Sequence, residues 1–282
     1  MSDIFTLLVN TISERPICHA PTSSTYQLLK CVTRESIAKE FSSPEPQPVS
    51  FGPFGVLKFP YHRMGAIDSL DLFGLDEFII FAFYNRNRSS YRCFADIGAN
   101  LGLHSLMLNR SGFSVRSFEP DPTHASIFRR NVSLNHALDV ELHEAAVSVE
   151  DGEAEFVRVL GNTTGSHLAG AKDSYGDKET FRVKVQAVQP LFQWADLIKM
   201  DAEGHEADMI CSTSAVDWKG TDMIVEIGNA ANAKRVFQHL TSLGVRIFAQ
   251  KIGWQSVLIL DDMPTSHRDG SLFISLRDSM PW

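Results

Sequence analysis

The stretch Lys-Met-Asp-Ala-Glu-Gly-His-Glu carries four titratable groups within six residues, Asp201, Glu203, His205 and Glu206, with Lys199 just ahead of them. Crowding of this kind perturbs proton affinities or holds a divalent cation, with Asp201 and Glu203 the natural ligands if a metal such as magnesium is needed. The plain alternative is a solvated helix start, where the dipole favours acids and Lys199 pairs with one of them. A second constellation lies upstream: Asp96, Gly98, Gly102 and then Glu119, roughly 20 positions after the first glycine, the distance at which a nucleotide-binding βαβ unit presents an acid to a ribose.

Glycine spacing selects among nucleotides. A dinucleotide site uses Gly-x-Gly-x-x-Gly to close backbone on a pyrophosphate. Here the middle glycine is absent, and the carboxylate of Asp96 at the strand end would repel a pyrophosphate while suiting the ammonium of an amino acid. That loop favours S-adenosylmethionine (SAM), with the methionine part along Gly98, Ala99, Asn100 and Gly102 and the ribose at Glu119. An ordinary strand-turn-helix with a solvated Asp96 is the competing reading, and the placement of Glu119 weakens it.

The elements that must position these groups follow from local pattern. Residues 94–97 read as a strand, 103–110 as a helix and 114–118 as the next strand. Asp121 or Thr123 can cap a helix to about residue 135, and Asp121 falls with the cofactor-facing groups. Residues 140–147 alternate as one strand whose small end, Ala145 and Ala146, leaves room for an adenine ring. Two extended segments follow, 154–160 and 181–188. Between them the polar run 161–179 reads as a loop near the site or as a hairpin tip. Residues 196–200 form a short strand and Gly204 permits the turn into a helix, so Asp201, Glu203 and His205 should face the crevice of Gly98 and Glu119. In 222–227 the acid Glu226 interrupts an apolar run and requires a partner. A helix over 233–243 and strands at 245–249 and 272–276 complete a doubly wound, mostly parallel α/β sheet with an antiparallel end.

Ahead of this lie two helical stretches in residues 1–41 and a Pro-rich linker over 42–60, read as a small helical N-terminal extension (1–60) on a catalytic domain (61–282). A helix is expected from Ser69, with Leu72, Leu75, Ile79 and Phe83 on one face. The dense aromatics from Phe73 to Tyr84 read as core.

With 44% hydrophobic and 21% charged residues, the 282-residue chain suits one α/β domain plus a modest extension. A formal net charge of -8 gives no general attraction to nucleic acid or anionic membranes, so no nucleic-acid partner is expected. Cys18, Cys31, Cys93 and Cys211 are scattered without zinc spacing, which suits reduced thiols and a cytoplasmic protein. The N-terminus lacks a basic signal region, and the apolar run 78–84 is too short to span a bilayer.

DIGANLGLHSL, FEPDP, AVSVEDGEAEF, GNTTGSH and above all DLIKMDAEGHEADMI followed by IVEI resemble the FkbM family of SAM-dependent methyltransferases. The resemblance covers roughly 96–227 and leaves residues 1–60 outside. Its most specific part is Lys199, Asp201, Glu203, Gly204 and Glu206. One departure is visible: members usually carry Thr-Leu-Asp-Asp ahead of that signature, where this chain has Ala187-Val188-Gln189-Pro190-Leu191.

The resemblance implies a class I, Rossmann-like fold and methyl transfer to a hydroxyl of a sugar, glycan or secondary metabolite. In-line alignment and removal of an alcohol proton would then fall to Asp201 and Glu203, directly or through a metal ion. His205 and His104 are reserve bases, and Lys199 would position a carboxylate or the acceptor. A nucleic-acid methyltransferase would need a basic, aromatic-bearing face that the chain lacks. A silent SAM-binding module would not need the acid cluster that the chain retains. The N-terminal helices could cap the acceptor site or support a homodimer.

Overall fold

The computed structural model describes residues 3–137, 139–171 and 176–282; part of the polar run expected over 161–179 therefore lies outside the described residues. The chain opens with α1 (Ile4–Glu14), whose N-cap Asp3 accepts the Thr6 amide, and α2 (Ser24–Phe41), capped by Ser23. A two-residue hairpin, β1 (Val49–Ser50) with β2 (Val56–Leu57), leads to α3 (Leu75–Arg86).

The expected helix from Ser69 starts later. Asp71–Phe73 makes a single 3-10 turn, and Gly74 takes an extended ψ of 164° that forbids helical continuity until Leu75. Nor is α3 amphipathic. Every residue from Phe78 to Tyr84 is buried, because α1 packs on the side that a two-layer fold would leave wet. Phe5 of α1 stacks on Phe78 at 5.9 Å, and Phe41 of α2 joins the same cluster as Phe94 of the sheet. Burying seven consecutive side chains explains why that segment shows no polar face.

Then come β3 (Cys93–Ile97), α4 (Leu103–Arg110), β4 (Ser114–Phe118), α5 (Pro122–Leu134) and β5 (Val140–His143). The single strand expected over 140–147 is split. After His143 the chain leaves the main sheet, and β6 (Ala146–Ser148) pairs instead in a small sheet with β7 (Gly152–Val159), β8 (His167–Leu168) and β9 (Lys178–Ala187). Alternation cannot register such a change of partner, since both halves keep the same period.

The short helix α6 (Gln189–Trp194) returns the chain to β10 (Leu197–Met200), followed by α7 (Glu206–Cys211), β11 (Asp222–Val225), α8 (Ala230–Leu243), β12 (Arg246–Ala249), β13 (Gln255–Ser256) and β14 (Leu272–Ser275). The main sheet runs β13-β12-β14-β11-β10-β3-β4-β5, with β11, β10, β3, β4 and β5 parallel and β14 antiparallel to both its neighbours. Strand order reverses between β3 and β10, which creates a crevice at their carboxyl ends.

Side chains alternate between two cores. Phe94, Leu197 and Ile224 face α3 and α4, while Ala95, Ile198 and Met223 belong to the core on the opposite face. By the same alternation Asp96 and Lys199, paired in register, point to the α3 face. Among the described residues no helix is long and apolar enough to cross a membrane. All four cysteines are free.

Candidate active site

The turn after β3 is fixed from both sides. The amides of Gly98 and Ala99 both bond the Phe118 carbonyl at 3.0 Å, which locks the loop to the end of β4. Gly98 has φ 76°, and a Cβ there would overlap the backbone carbonyl of Asp201, so the turns after β3 and β10 touch through a position only glycine fills. Gly102 (φ 87°) meets the Phe128 ring of α5, 2.7 Å from where a Cβ would stand. Asn100 is also left-handed (φ 51°), and its amide donates to Glu119 Oε2 at 2.8 Å.

These turns border a cavity of about 230 Å³ at the crevice. Glu119 is 5% exposed and its other oxygen accepts the Asp121 amide at 2.8 Å. Burial pushes its carboxyl up to about 8, against the pull of the two amide donors. Asp121 caps α5 through the Thr123 amide and receives a two-pronged bond from Arg158 of β7, at 2.7 and 2.6 Å. Burial opposes its ionisation, yet Arg158 and the cap hold its carboxyl below the usual range. The apolar wall is Phe118, Ala146, Val147, Phe156 and Leu168, which places the small sheet over one side of the cavity.

The roof closes from the other side. Ile67 and Leu72, between the N-terminal region and α3, face the cavity together with Thr163 and Ser166. The two segments are tied by bonds from the Ala66 amide to the Gly161 carbonyl (2.7 Å) and from the Thr163 amide to the Met64 carbonyl (3.1 Å). The first part of the polar run, from Thr163 to Leu168, thus lies at the site. The contribution of Ile67 had no sequence signal, since an isolated apolar residue in a connecting segment reads as core or as loop, and Leu72 reads instead as part of the face of the helix expected from Ser69.

Beyond β10, Asp201, Glu203 and His205 line the same cavity as Gly98 and Glu119. Glu203 sits at φ 52° and Gly204 at φ 107°, a tight turn held by Glu206, whose buried carboxylate accepts the Ala202 and Gly204 amides. Burial pushes Glu206 up to about 7. His205 Nε2 and Ser148 Oγ share a 2.7 Å hydrogen bond. Asp201 and Glu203 also line a second cleft of about 310 Å³ with Glu206, Glu226, Asn229 and His267. The two spaces therefore meet at this pair of acids.

Lys199 and Asp96 lie behind the cavity wall, with Ala99 and Gly102. Asp96 is fully buried and accepts the Ser105 hydroxyl at 2.5 Å. Lys199 Nζ stands 3.5 Å from Asp201 Oδ2. Burial would lower the Lys199 ammonium, but Asp201, Asp96, Glu77 and Glu226 outweigh it and hold it above its ordinary value. His104 is committed to Glu77 (2.7 Å) and Tyr84 (2.9 Å) on the α3 side and lines neither of these two spaces. Among the described residues no three His, Cys, Asp or Glu side chains converge as a metal site, so the conditional pairing of Asp201 with Glu203 as ligands finds no third donor.

A glycine turn after the first parallel strand, a buried acid after the second and a cavity at the strand switch point define a Rossmann-like, class I SAM-dependent methyltransferase. Residues 96–247, more than half the chain, match the family model described as the methyltransferase FkbM domain, and the chain belongs to that family. Methyltransferase 1 of Beauveria bassiana (strain ARSEF 2860) is 25% identical over 187 residues, 56% of this chain and 74% of that protein. A SAM-dependent methyltransferase from Agrobacterium tumefaciens aligns over 85% of this chain and 72% of its own at 9% identity, TM-score 0.44. Methyltransferase FkbM from Methylobacillus flagellatus KT aligns over 88% of this chain and 60% of its own, at 11% identity and TM-score 0.37.

Proposed function

We propose that this enzyme methylates a hydroxyl oxygen of a polyhydroxylated acceptor, a sugar, glycan or secondary metabolite. The observation that carries the reading is that Asp201 and Glu203 line both the strand-switch cavity and the second cleft. The first space suits the cofactor and the second the acceptor. Among the described residues no hydrocarbon side chain lines the second cleft, so its wall suits hydroxyl groups and disfavours an apolar or anionic acceptor.

On the cofactor side, Glu119 would accept the ribose hydroxyls and Ala146 and Phe118 would flank the adenine. Gly98, Asn100 and Asp121 would border the remainder. The fit has support in Asn100, whose buried Oδ1 has no partner among the described residues and would accept a donor. SAM supplies a methyl group already activated on a sulfonium. What remains for the protein is alignment and proton removal. Asp201, fixed by Lys199, and Glu203, on its strained turn, would hold the hydroxyl between the two spaces. His205, tethered to Ser148, would stand beside them.

The test is transfer of labelled methyl from SAM into separated glycan, lipid, small-metabolite and RNA fractions. Label is expected in glycan or polyol metabolites. Label confined to RNA would overturn the reading.

A further inference from the structure

We infer that Glu226 is the residue that receives the acceptor's hydroxyl proton. The inference rests on the reading of the second cleft as the acceptor site. Glu226 follows β11 directly, and its amide reaches the Met200 carbonyl at 3.4 Å, so it continues the strand line beside Asp201. Two positions beyond Ile224, it falls on the α3 face with Asp96 and Lys199. It borders the second cleft and also a small internal space shared with Lys199, Glu77 and His104.

What separates Glu226 from the other acids is that its oxygens are unclaimed. Glu206 holds two backbone amides, Glu119 holds two, and Asp201 has Lys199. No hydrogen bond reaches the Glu226 carboxylate from any described residue. The groups around it are Lys199 and Asp201 from β10 and its turn, Asp76 and Glu77 from α3, and Glu203, Glu206 and His267 across the cleft. Burial, with Asp201 and Glu77 next, holds its carboxyl well above the usual range, and Lys199 pulls the other way. A carboxylate with no hydrogen-bond donor among the described residues is a stronger base than the acids already bonded.

The step balances. As the acceptor oxygen bonds to the methyl carbon, the carbon–sulfur bond breaks with its pair remaining on sulfur, and the hydroxyl proton moves to a Glu226 oxygen. One positive and one negative charge vanish together, and Lys199 stays cationic throughout. Glu226 then releases the proton through the open cleft.

The test needs no acceptor. Calorimetry of the intact protein with SAM and with S-adenosylhomocysteine, each in phosphate and in Tris from pH 6 to 9, reads protons released on binding. Both ligands carry the same ribose, ammonium and carboxylate, so Glu119 contributes equally to both. They differ in the sulfonium, whose charge beside Glu226 favours its ionised form. SAM should therefore release more protons than S-adenosylhomocysteine, and Glu226→Gln should erase the difference while still binding both ligands. On whichever fraction takes label, Glu226→Gln should lose about a hundredfold in kcat, and Glu226→Asp should recover part of it. An equal proton release for the two ligands, an undiminished difference in Glu226→Gln, or a full transfer rate in that variant overturns the role and leaves the cofactor site standing. Failure of both ligands to bind overturns the cofactor reading and this inference with it.

Discussion

The α-carbon of Gly98 faces the backbone carbonyl of Asp201 with no space for a methyl group between them. This contact joins the turn after β3 to the turn after β10, so the glycine turn and the acid cluster cannot move independently. Gly98→Ala would add a clash with rigid backbone to a left-handed φ, a cost of roughly 2 kcal/mol or more. The expected outcome is a lower melting temperature and at least tenfold weaker SAM binding by calorimetry. Unchanged affinity would show that the loop is not shaped by this contact.

Asp201→Asn and Glu203→Gln should abolish transfer, by about a hundredfold or more each, while SAM binding stays within a few-fold. Asp201 meets the glycine loop through its backbone carbonyl rather than its carboxylate, which is why binding and rate should separate. Single-turnover transfer beside calorimetry measures the split, and full activity in both variants would refute their roles.

Glu119 predicts a pH dependence of its own. With its carboxyl raised to about 8, the ligand-free protein binds a proton there at neutral pH. Ribose hydroxyls donate to the ionised form, so SAM affinity should rise as pH climbs from 6 toward 8 and then level off. Glu119→Gln should weaken binding by about tenfold and flatten that rise. A wild-type affinity independent of pH across this window would contradict the assignment.

Arg158 and Asp121 form a pair in which the acid is 1% exposed and the cation 16%. Arg158→Met leaves a buried carboxylate without its partner and should destabilise the fold by about 3 kcal/mol. The sign with pH follows from the lowered carboxyl of Asp121. Its stabilisation is present above the ordinary aspartate range and is lost as pH falls through its depressed value, so the gap between wild type and Arg158→Met should narrow in acid. Urea melts at pH 7 and below pH 4 test both statements.

The amino-acid sequence alone determined the parallel βαβ start, the acid at Glu119 and the convergence of Asp201, Glu203 and His205 on one crevice, because strand and turn periods are local and strand ends in such a sheet share one side. It also marked Glu226 as an acid out of place, though not what surrounds it. Only the tertiary structure decided that Asp96 turns away to Ser105, that Lys199 sits among four carboxylates, that residues 140–147 divide between two sheets, and that Ile67 and Leu72 roof the cavity beside Thr163. Apart from the Asp96–Ser105 contact, nine residues apart, these depend on which distant segment packs against which. The separations run to a hundred residues or so, where free energy is settled by burial and pairing between surfaces and no periodic signal survives in either strand of sequence.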